Sequence, residues 1–268
     1  MPELPEIETI RTGMAVNVGA KIINIDINRD EIIKLRDYEP EELLNKTISE
    51  VKRRGKFLIF VLEKHYNLVF HLGMSGRFYM IKPEEEITEP HVHVIVYLDN
   101  QNRLLYQDAR RFGGVWLAQD LTALFDHMGL EPLAPEFSAQ YLYDITRNRK
   151  IAIKSLLLDQ HLIAGIGNIY ADESLFRAGI RPDKSAGSLT SDETKRLCKA
   201  VKDVLKNSIK ERGTTFRDFR DGYNNTGNFQ NFLQVYGKTN EKCPACDTIL
   251  IRQVIGGRST HYCSNCQQ

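Results

Sequence analysis

Gly129-Leu-Glu-Pro-Leu-Ala-Pro-Glu-Phe-Ser138 is the stretch at which the chain changes character. Pro132 and Pro135 punctuate it as a linker. Before it, apolar residues recur at every second position; after it, every third or fourth. That switch predicts an α+β fold built in separate parts. Upstream, Ile23, Ile25 and Ile27 alternate with Asn24, Asp26 and Asn28, and Val92, Val94, Val96 and Leu98 alternate again. Apolar runs cover 57–62, 68–72, 78–81, 104–106 and 115–117. Short strands separated by turn residues predict a β-sandwich, flanked by helices over 5–16 and 40–45. Downstream, the spacing predicts helices over 151–159, 169–178 and 191–210. The last carries Leu197, Val201, Val204, Leu205 and Ile209 on one stripe, Thr190 and Glu193 form its capping box, and Gly213 stops it. A polar, Gly- and Asn-rich segment over 218–231 reads as a mobile loop. The division expected is a β-sandwich domain over 1–130, a helical domain over 131–235 and a short C-terminal module over 236–268.

With 268 residues, 42% hydrophobic and 26% charged, the chain can bury an ordinary globular core. A net charge of +1 gives no global attraction to nucleic acid, so any basic surface has to be local. No apolar run is long enough to cross a membrane and no signal peptide opens the chain, so a cytoplasmic protein without a membrane partner is expected. Five cysteines in that setting favour metal binding over disulfides.

The sharpest local pattern is Cys243-Pro-Ala-Cys246, sixteen residues, then Cys263-Ser-Asn-Cys266. Two such knuckles supply four thiolates for one tetrahedral Zn2+ with no open position, a structural site. A redox dithiol pair is the alternative. Between them 249–255 and 259–262 suit a hairpin turning at Gly256-Gly257, which leaves Arg258 at its tip, placed for a phosphate. Cys198, left over, reads as a buried and inert thiol.

At the other end stands Met1-Pro-Glu-Leu-Pro-Glu-Ile-Glu8. Loss of Met1 is easy before a residue as small as proline and leaves Pro2 as a secondary amine, titrating near 8 like other α-amino groups. Its neutral form can attack an aldehyde-like carbon. Glu3 stands beside it as a proton donor or acceptor, and Pro5 suits the first turn of a helix through Ile7, Ile10 and Met14. The plainer reading is a helix start with favourable charges. Ile163-Ala-Gly-Ile-Gly-Asn-Ile-Tyr170 joins two helices through a tight turn. Asn168 suits the N-cap of the second, where the helix dipole favours a phosphate. On these residues alone, simple capping of a helix hairpin is the favoured reading. Arg147, Arg149, Lys150 and Lys154 cluster nearby, and Lys52, Arg53, Arg54 and Lys56 surround another turn.

Taken together, "PELPEIET" at the start, "GIGNIYADESLFRAGI", "QVYG" and the paired knuckles, in this order, resemble the formamidopyrimidine-DNA glycosylases, which repair oxidised purines. The resemblance extends over 1–14, 53–57, 71–76, 107–116, 152–181, 213–217, 233–237 and 243–266. The related endonuclease VIII branch opens Pro-Glu-Gly-Pro-Glu, and Leu4 argues against it.

The resemblance implies a bifunctional glycosylase and AP lyase of base excision repair. It would act as a monomer on damaged double-stranded DNA, held between the β-sandwich and a helix–two-turn–helix domain, with one structural Zn2+ and no organic cofactor. Pro2 would attack C1′ of the damaged nucleotide, and β- and δ-elimination would follow. Glu3 would move protons, Glu6 would orient the terminus, and Lys56 and Arg258 would serve as proton donors or phosphate partners. His71, His91, Arg110, Arg149, Lys154 and Asn168 would contact DNA. Met74, Arg110 and Phe112 would fill the hole left by the everted base, and the loop within 213–231 would close over that base. Where the family usually reads Lys-His-Asp-His, this chain has Pro90-His91-Val92-His93, which removes the Asp and its hydrogen bonds. His93 reads equally as a satisfied strand histidine. Two alternatives remain: the same mechanism with a preference for oxidised pyrimidines, and a lesion-binding paralogue that does not cut.

Overall fold

Helix α1 (Leu4–Met14) opens the chain, and its N-cap is reciprocal: the Glu3 side chain accepts the Glu6 N–H while the Glu6 side chain accepts the Glu3 N–H. Leu4, Ile7, Ile10 and Met14 are fully buried, so one stripe of α1 seals a core. The computed structural model describes residues 1–216 and 219–268; Arg217 and Asp218, at or inside the expected lid segment, lie outside the described residues.

Nine strands follow among the described residues: β1 (Ile22–Ile27), β2 (Ile33–Arg36), β3 (Ile48–Arg54), β4 (Phe57–Leu62), β5 (Asn67–His71), β6 (Arg77–Ile81), β7 (Val92–Leu98), β8 (Arg103–Gln107) and β9 (Gly114–Ala118). They form a four-stranded sheet in the order β1-β7-β8-β6 and a five-stranded sheet in the order β2-β9-β5-β4-β3. The pairs are antiparallel except β2 with β9. Phe78, Val94, Val96, Leu104 and Tyr106 of the first sheet share one core with Leu58, Phe60, Phe70, Val115 and Leu117 of the second and with α1. That is the expected sandwich.

Two of its strands were not legible. β2 is short and mostly exposed, and β3, Ile-Ser-Glu-Val-Lys-Arg-Arg, is an edge strand with no strict alternation. The alternation in β7 also misleads. A register shift between Val92 and Val94 turns Val92 to the other face, where it packs with Tyr79, Ile95 and Leu105.

Helix α2 (Leu121–Phe125) precedes the linker; α3 (Ala139–Thr146), α4 (Ile153–Leu158), α5 (Asn168–Ala178), α6 (Ser191–Lys210) and the hairpin β10 (Ile251–Ile255) and β11 (Arg258–Tyr262) follow it. The chain divides into two compact units, one holding 1–126 and 211–230, the other 127–210 and 231–268. The linker is not free chain. The Gly129 N–H donates to the Gln160 carbonyl at 2.9 Å, the Ala164 N–H donates to that of Leu130 at 2.9 Å, and Phe137 is fully buried. A Cβ on Gly129 would fall 2.0 Å from the Leu162 carbonyl carbon, so only glycine fits there. α6 follows its sequence closely: the Thr190 N–H bonds Glu193 Oε2 at 2.9 Å, and the Glu193 N–H bonds Thr190 Oγ1 at 3.2 Å. Its buried stripe includes Leu197, Val201, Val204 and Leu205. The described part of the expected mobile loop is tied down. The Met80 N–H donates to the Gly222 carbonyl at 2.9 Å, the Phe229 N–H to that of Gly213 at 3.0 Å, and Asp221 accepts the Tyr223 and Asn225 N–H groups. No helix among the described residues is long and apolar enough to cross a membrane.

Candidate active site

Pro2, Glu3 and Glu6 are all buried at the start of α1. Both oxygens of Glu6 are engaged: Oε2 accepts the Glu3 N–H at 2.8 Å and Oε1 accepts the Thr214 N–H at 2.7 Å. Glu6 therefore fixes the residue after Pro2 and also the start of the 213–231 segment. Gly213 has φ 78°, and a Cβ there would meet Glu6 Oε1 at 2.9 Å, so the close approach requires glycine. Met1 is joined to Pro2 here, which makes the Pro2 nitrogen a tertiary amide. Once Met1 is removed, that nitrogen becomes an amine at the positive end of a helix.

The Lys56 turn is braced from the same helix. Glu8 Oε2 accepts from Arg53 Nε at 2.9 Å, and Arg53 Nη1 donates to the Gly55 carbonyl at 3.1 Å. Gly55, at φ 54°, makes the two-residue hairpin turn between β3 and β4, and Lys56 beside it is buried to 7% exposure. The basic cluster of the sequence is thus the end of an edge strand and its hairpin.

His71, half-buried, packs against Phe57 with ring centroids 4.8 Å apart and the rings tilted by 46°. Burial, with the Lys56 ammonium added, drives its imidazole from 6.5 down to about 4, against a smaller opposing pull from Asp108. Its Nδ1 accepts the Gly73 N–H at 3.2 Å, as a neutral ring does. His71 therefore carries an Nε2–H donor and no charge. Its depressed folded pKa has a consequence for stability. Between pH 6.5 and about 4 the unfolded chain binds the proton and the folded one does not, so stability is full above 6.5 and falls as the pH drops through that window. In urea unfolding, wild-type protein should lose about 2 kcal/mol more than His71→Gln between pH 7 and pH 5. Equal losses would refute the neutral histidine.

Met74 and Phe112 stand out from unit one, 45% and 62% exposed, on the loops after β5 and β8. The Arg110 guanidinium lies 5.9 Å from the Phe112 ring centroid. The two loops touch backbone to backbone, for a Cβ on Gly73 would fall 2.5 Å from the Gly113 nitrogen. Asp108 sits fully buried at their junction, bonded to Ser75 and Gly113. Sequence reading passed it over, because a lone Asp ahead of two arginines carries no spacing signal. His91 is exposed, with φ 65° at the start of β7. His93 is a satisfied strand histidine: it is buried, with Nε2 2.8 Å from the Asp108 carbonyl oxygen.

In unit two, Arg149 and Arg258 are exposed, and Arg258 begins β11 next to the Gly256-Gly257 turn, whose φ values are 55° and 73°. Lys154 corrects the sequence. Instead of facing DNA it is 0% exposed, its Nζ bonded to Asp172 at 2.6 Å, to the Ser259 carbonyl at 2.9 Å and to Thr260 Oγ1 at 2.8 Å. A buried ammonium so fully paired has nothing left for a phosphate. Asn168 is corrected too. Gly167 holds the N-cap position of α5, and Asn168 Nδ2 donates to the same Ser259 carbonyl at 2.9 Å. Both side chains fasten the strand that carries Arg258. Glu173 adds to this by accepting the N–H groups of Gln234, Val235 and Tyr236 just before the ribbon.

Cys243, Cys246, Cys263 and Cys266 gather with their four sulfurs within 4.8 Å of one another. Cys243 and Cys266 sulfurs lie 3.8 Å apart and those of Cys246 and Cys263 3.5 Å. A tetrahedron of Zn–S bonds near 2.3 Å needs sulfurs about 3.8 Å apart, so the set fits one structural zinc ion. Hydrogen bonds from Thr248 and Asn265 pull the Cys246 thiol down, while burial raises that of Cys243 and the Cys246 sulfur raises that of Cys266, so the first proton to leave the cluster comes from Cys246. Cys198 lies apart, buried on α6, and burial raises its thiol.

Three family models match the chain: the formamidopyrimidine-DNA glycosylase N-terminal domain over 1–115, the H2TH domain of the same glycosylase over 128–220, and a zinc finger found in FPG and IleRS over 240–268. The formamidopyrimidine-DNA glycosylase of Syntrophomonas wolfei is 54% identical across 268 residues, all of both chains. Among solved structures, a point mutant of Lactococcus lactis FPG in complex with Fapy-dG-containing DNA is similar at TM-score 0.92 and 35% identity, covering 100% of both chains. Wild-type Lactococcus lactis Fpg in complex with DNA containing an oxidised pyrimidine is similar at TM-score 0.91 and 35% identity, again over 100% of both chains.

Proposed function

The chain belongs to the formamidopyrimidine-DNA glycosylase family, and from that premise we propose that its freed Pro2 amine is the nucleophile of a combined glycosylase and AP lyase acting on oxidised purines. The enzyme is a DNA glycosylase of base excision repair. The observation that carries the Pro2 reading is the double hold of Glu6, which pins the residue after the nucleophile from inside the protein while Glu3 lies buried next to it.

The Pro2 nitrogen attacks C1′, the bond from C1′ to the base breaks, and Glu3 protonates the opening sugar. The iminium that results acidifies C2′, so β- and then δ-elimination expel the phosphates on either side. The N-terminal dipole of α1 keeps the amine in its neutral form. Lys56 and Arg258 deliver protons or hold phosphate in those steps. Met74, Arg110 and Phe112 occupy the vacated stack. His71, His91 and Arg149 contact DNA as donors, and the start of α5, behind Asn168, favours phosphate through its dipole. The 213–231 segment, anchored by Thr214 to Glu6, covers the everted base. Zinc holds the ribbon folded and takes no part in the chemistry. The protein works as a monomer in the bacterial cytosol.

Single-turnover excision of 8-oxoguanine and of thymine glycol from otherwise identical duplexes tests the substrate class. The oxidised purine is expected to leave faster. A faster release of thymine glycol would favour the oxidised-pyrimidine reading, which the oxidised-pyrimidine complex of the Lactococcus lactis relative keeps in view. Tight binding without release of either base would favour a lesion binder.

A further inference from the structure

We propose that Asp108 is a positioning residue that locks the Met74 loop to the Arg110–Phe112 loop so that both enter the base stack as one preformed wedge. The inference rests on the void-filling reading of those three residues.

Asp108 is 0% exposed, and its carboxylate collects donors from both loops and from the sheet below. Oδ1 accepts from Ser75 Oγ at 2.8 Å and from the Arg110 N–H at 3.3 Å; Oδ2 accepts the Gly113 N–H at 2.9 Å and faces the Tyr106 hydroxyl at 3.5 Å. The Tyr106 hydroxyl also donates to the His71 carbonyl at 3.2 Å, and His93 Nε2 sits 2.8 Å from the Asp108 carbonyl oxygen. One carboxylate thus touches the residue after Met74, the amide of Arg110 and the residue after Phe112. The glycines explain how the loops come so close. A Cβ on Gly113 would lie 2.2 Å from both the His71 carbonyl oxygen and the Tyr106 hydroxyl, so the loop can seat on this carboxylate only with a bare backbone.

The tips need such a foundation. Met74 and Phe112 are 45% and 62% exposed, so little packing of their own fixes them. Prising a base step open works against stacking, and a wedge free to shift would give way as the bases restack. A buried carboxylate with several hydrogen bonds fixes the loops before DNA arrives.

Asp108→Ala removes every acceptor. Asp108→Asn keeps one oxygen for Gly113, can donate to the Ser75 hydroxyl and deprives the Arg110 N–H of its partner. Each is compared with wild type on two substrates: an 8-oxoguanine duplex, which needs the wedge, and a single strand with an abasic site, which has no stack to open. Asp108→Ala should excise from the duplex on the order of tenfold to a hundredfold more slowly, with single-strand cleavage within about twofold of wild type and Asp108→Asn between. Adding Asp108→Ala to Phe112→Ala should cost less than it costs wild type, since a loose loop and a missing tip remove the same function. Equal losses on both substrates, full activity on the duplex or strict additivity would overturn the proposal. If Asp108→Ala does not fold, Asp108→Asn alone decides it by the same comparison. If Met74→Ala and Phe112→Ala leave duplex excision unchanged, the void-filling reading itself fails; if they slow it while the Asp108 variants do not, only the positioning role fails.

Discussion

A chain that keeps residues ahead of Pro2 is expected to excise 8-oxoguanine on the order of 10³-fold more slowly, or worse, than the chain that begins at Pro2. The cause is electronic. With Met1 or an uncleaved tag in place, the Pro2 nitrogen is a tertiary amide whose lone pair is shared with the carbonyl. It cannot add to C1′ and cannot become an iminium. Nothing else in the site needs to change: Glu3 and Glu6 form the capping box with Met1 attached, and Glu6 holds Thr214 there as well. Duplex binding should therefore survive, and the two proteins should part in the single-turnover rate and not in affinity. A short Gly-Ser extension ahead of Met1 makes the comparison. Comparable rates from the two chains would remove Pro2 from the chemistry.

The second large effect is expected from the four cysteines. Cys263→Ala should abolish zinc binding, unfold the ribbon and reduce strand cleavage to background. Structural zinc in such modules is worth about 10–16 kcal/mol of folding free energy, far more than the few apolar contacts of Val235 and Leu250 can replace. The damage should spread inward. The buried Lys154 and Asp172 and the partly buried Asn168 bond to partners supplied by β11, namely the Ser259 carbonyl, Thr260 Oγ1 and the His261 N–H, and these disappear with the ribbon. A buried lysine and aspartate that lose part of their hydrogen bonding destabilise the helices around them. Metal analysis should find one zinc per wild-type chain and none in the variant. Limited proteolysis should cut the variant after about residue 236, and its thermal midpoint should fall. A variant without zinc that still cleaves at the wild-type rate would contradict this account.

Features with a strong periodic or compositional signal were legible in the sequence. α6 shows its stripe and its cap, the knuckles show their spacing, and the opening Pro-Glu-Leu-Pro-Glu shows a helix start. What stayed hidden depends on tertiary partners. β3 is an edge strand whose exposed face carries charge, so its pattern resembles a basic turn. Val92 keeps the alternation on paper, but the bulge at that point reverses its face, and the position where the family usually carries an Asp is a packing residue here. Lys154 stands in a run of cations that looks solvated, and only the fold brings Asp172 to it. Asn168 has the residue type of a cap, yet a carbonyl from β11, distant in sequence, takes its amide. Asp108 was missed for the same reason: the donors it gathers from the two loops are Ser75, Arg110 and Gly113, and the sequence does not show that these meet.

Borohydride reduction during reaction with a duplex carrying one 8-oxoguanine tests the central claim most directly, with the adduct located by mass spectrometry of the N-terminal peptide. The account predicts a stable protein–DNA adduct whose mass increment lies on Pro2, absent from the chain that keeps Met1. An adduct on a lysine such as Lys56, or none from a protein that binds the duplex and has lost Met1, would contradict it.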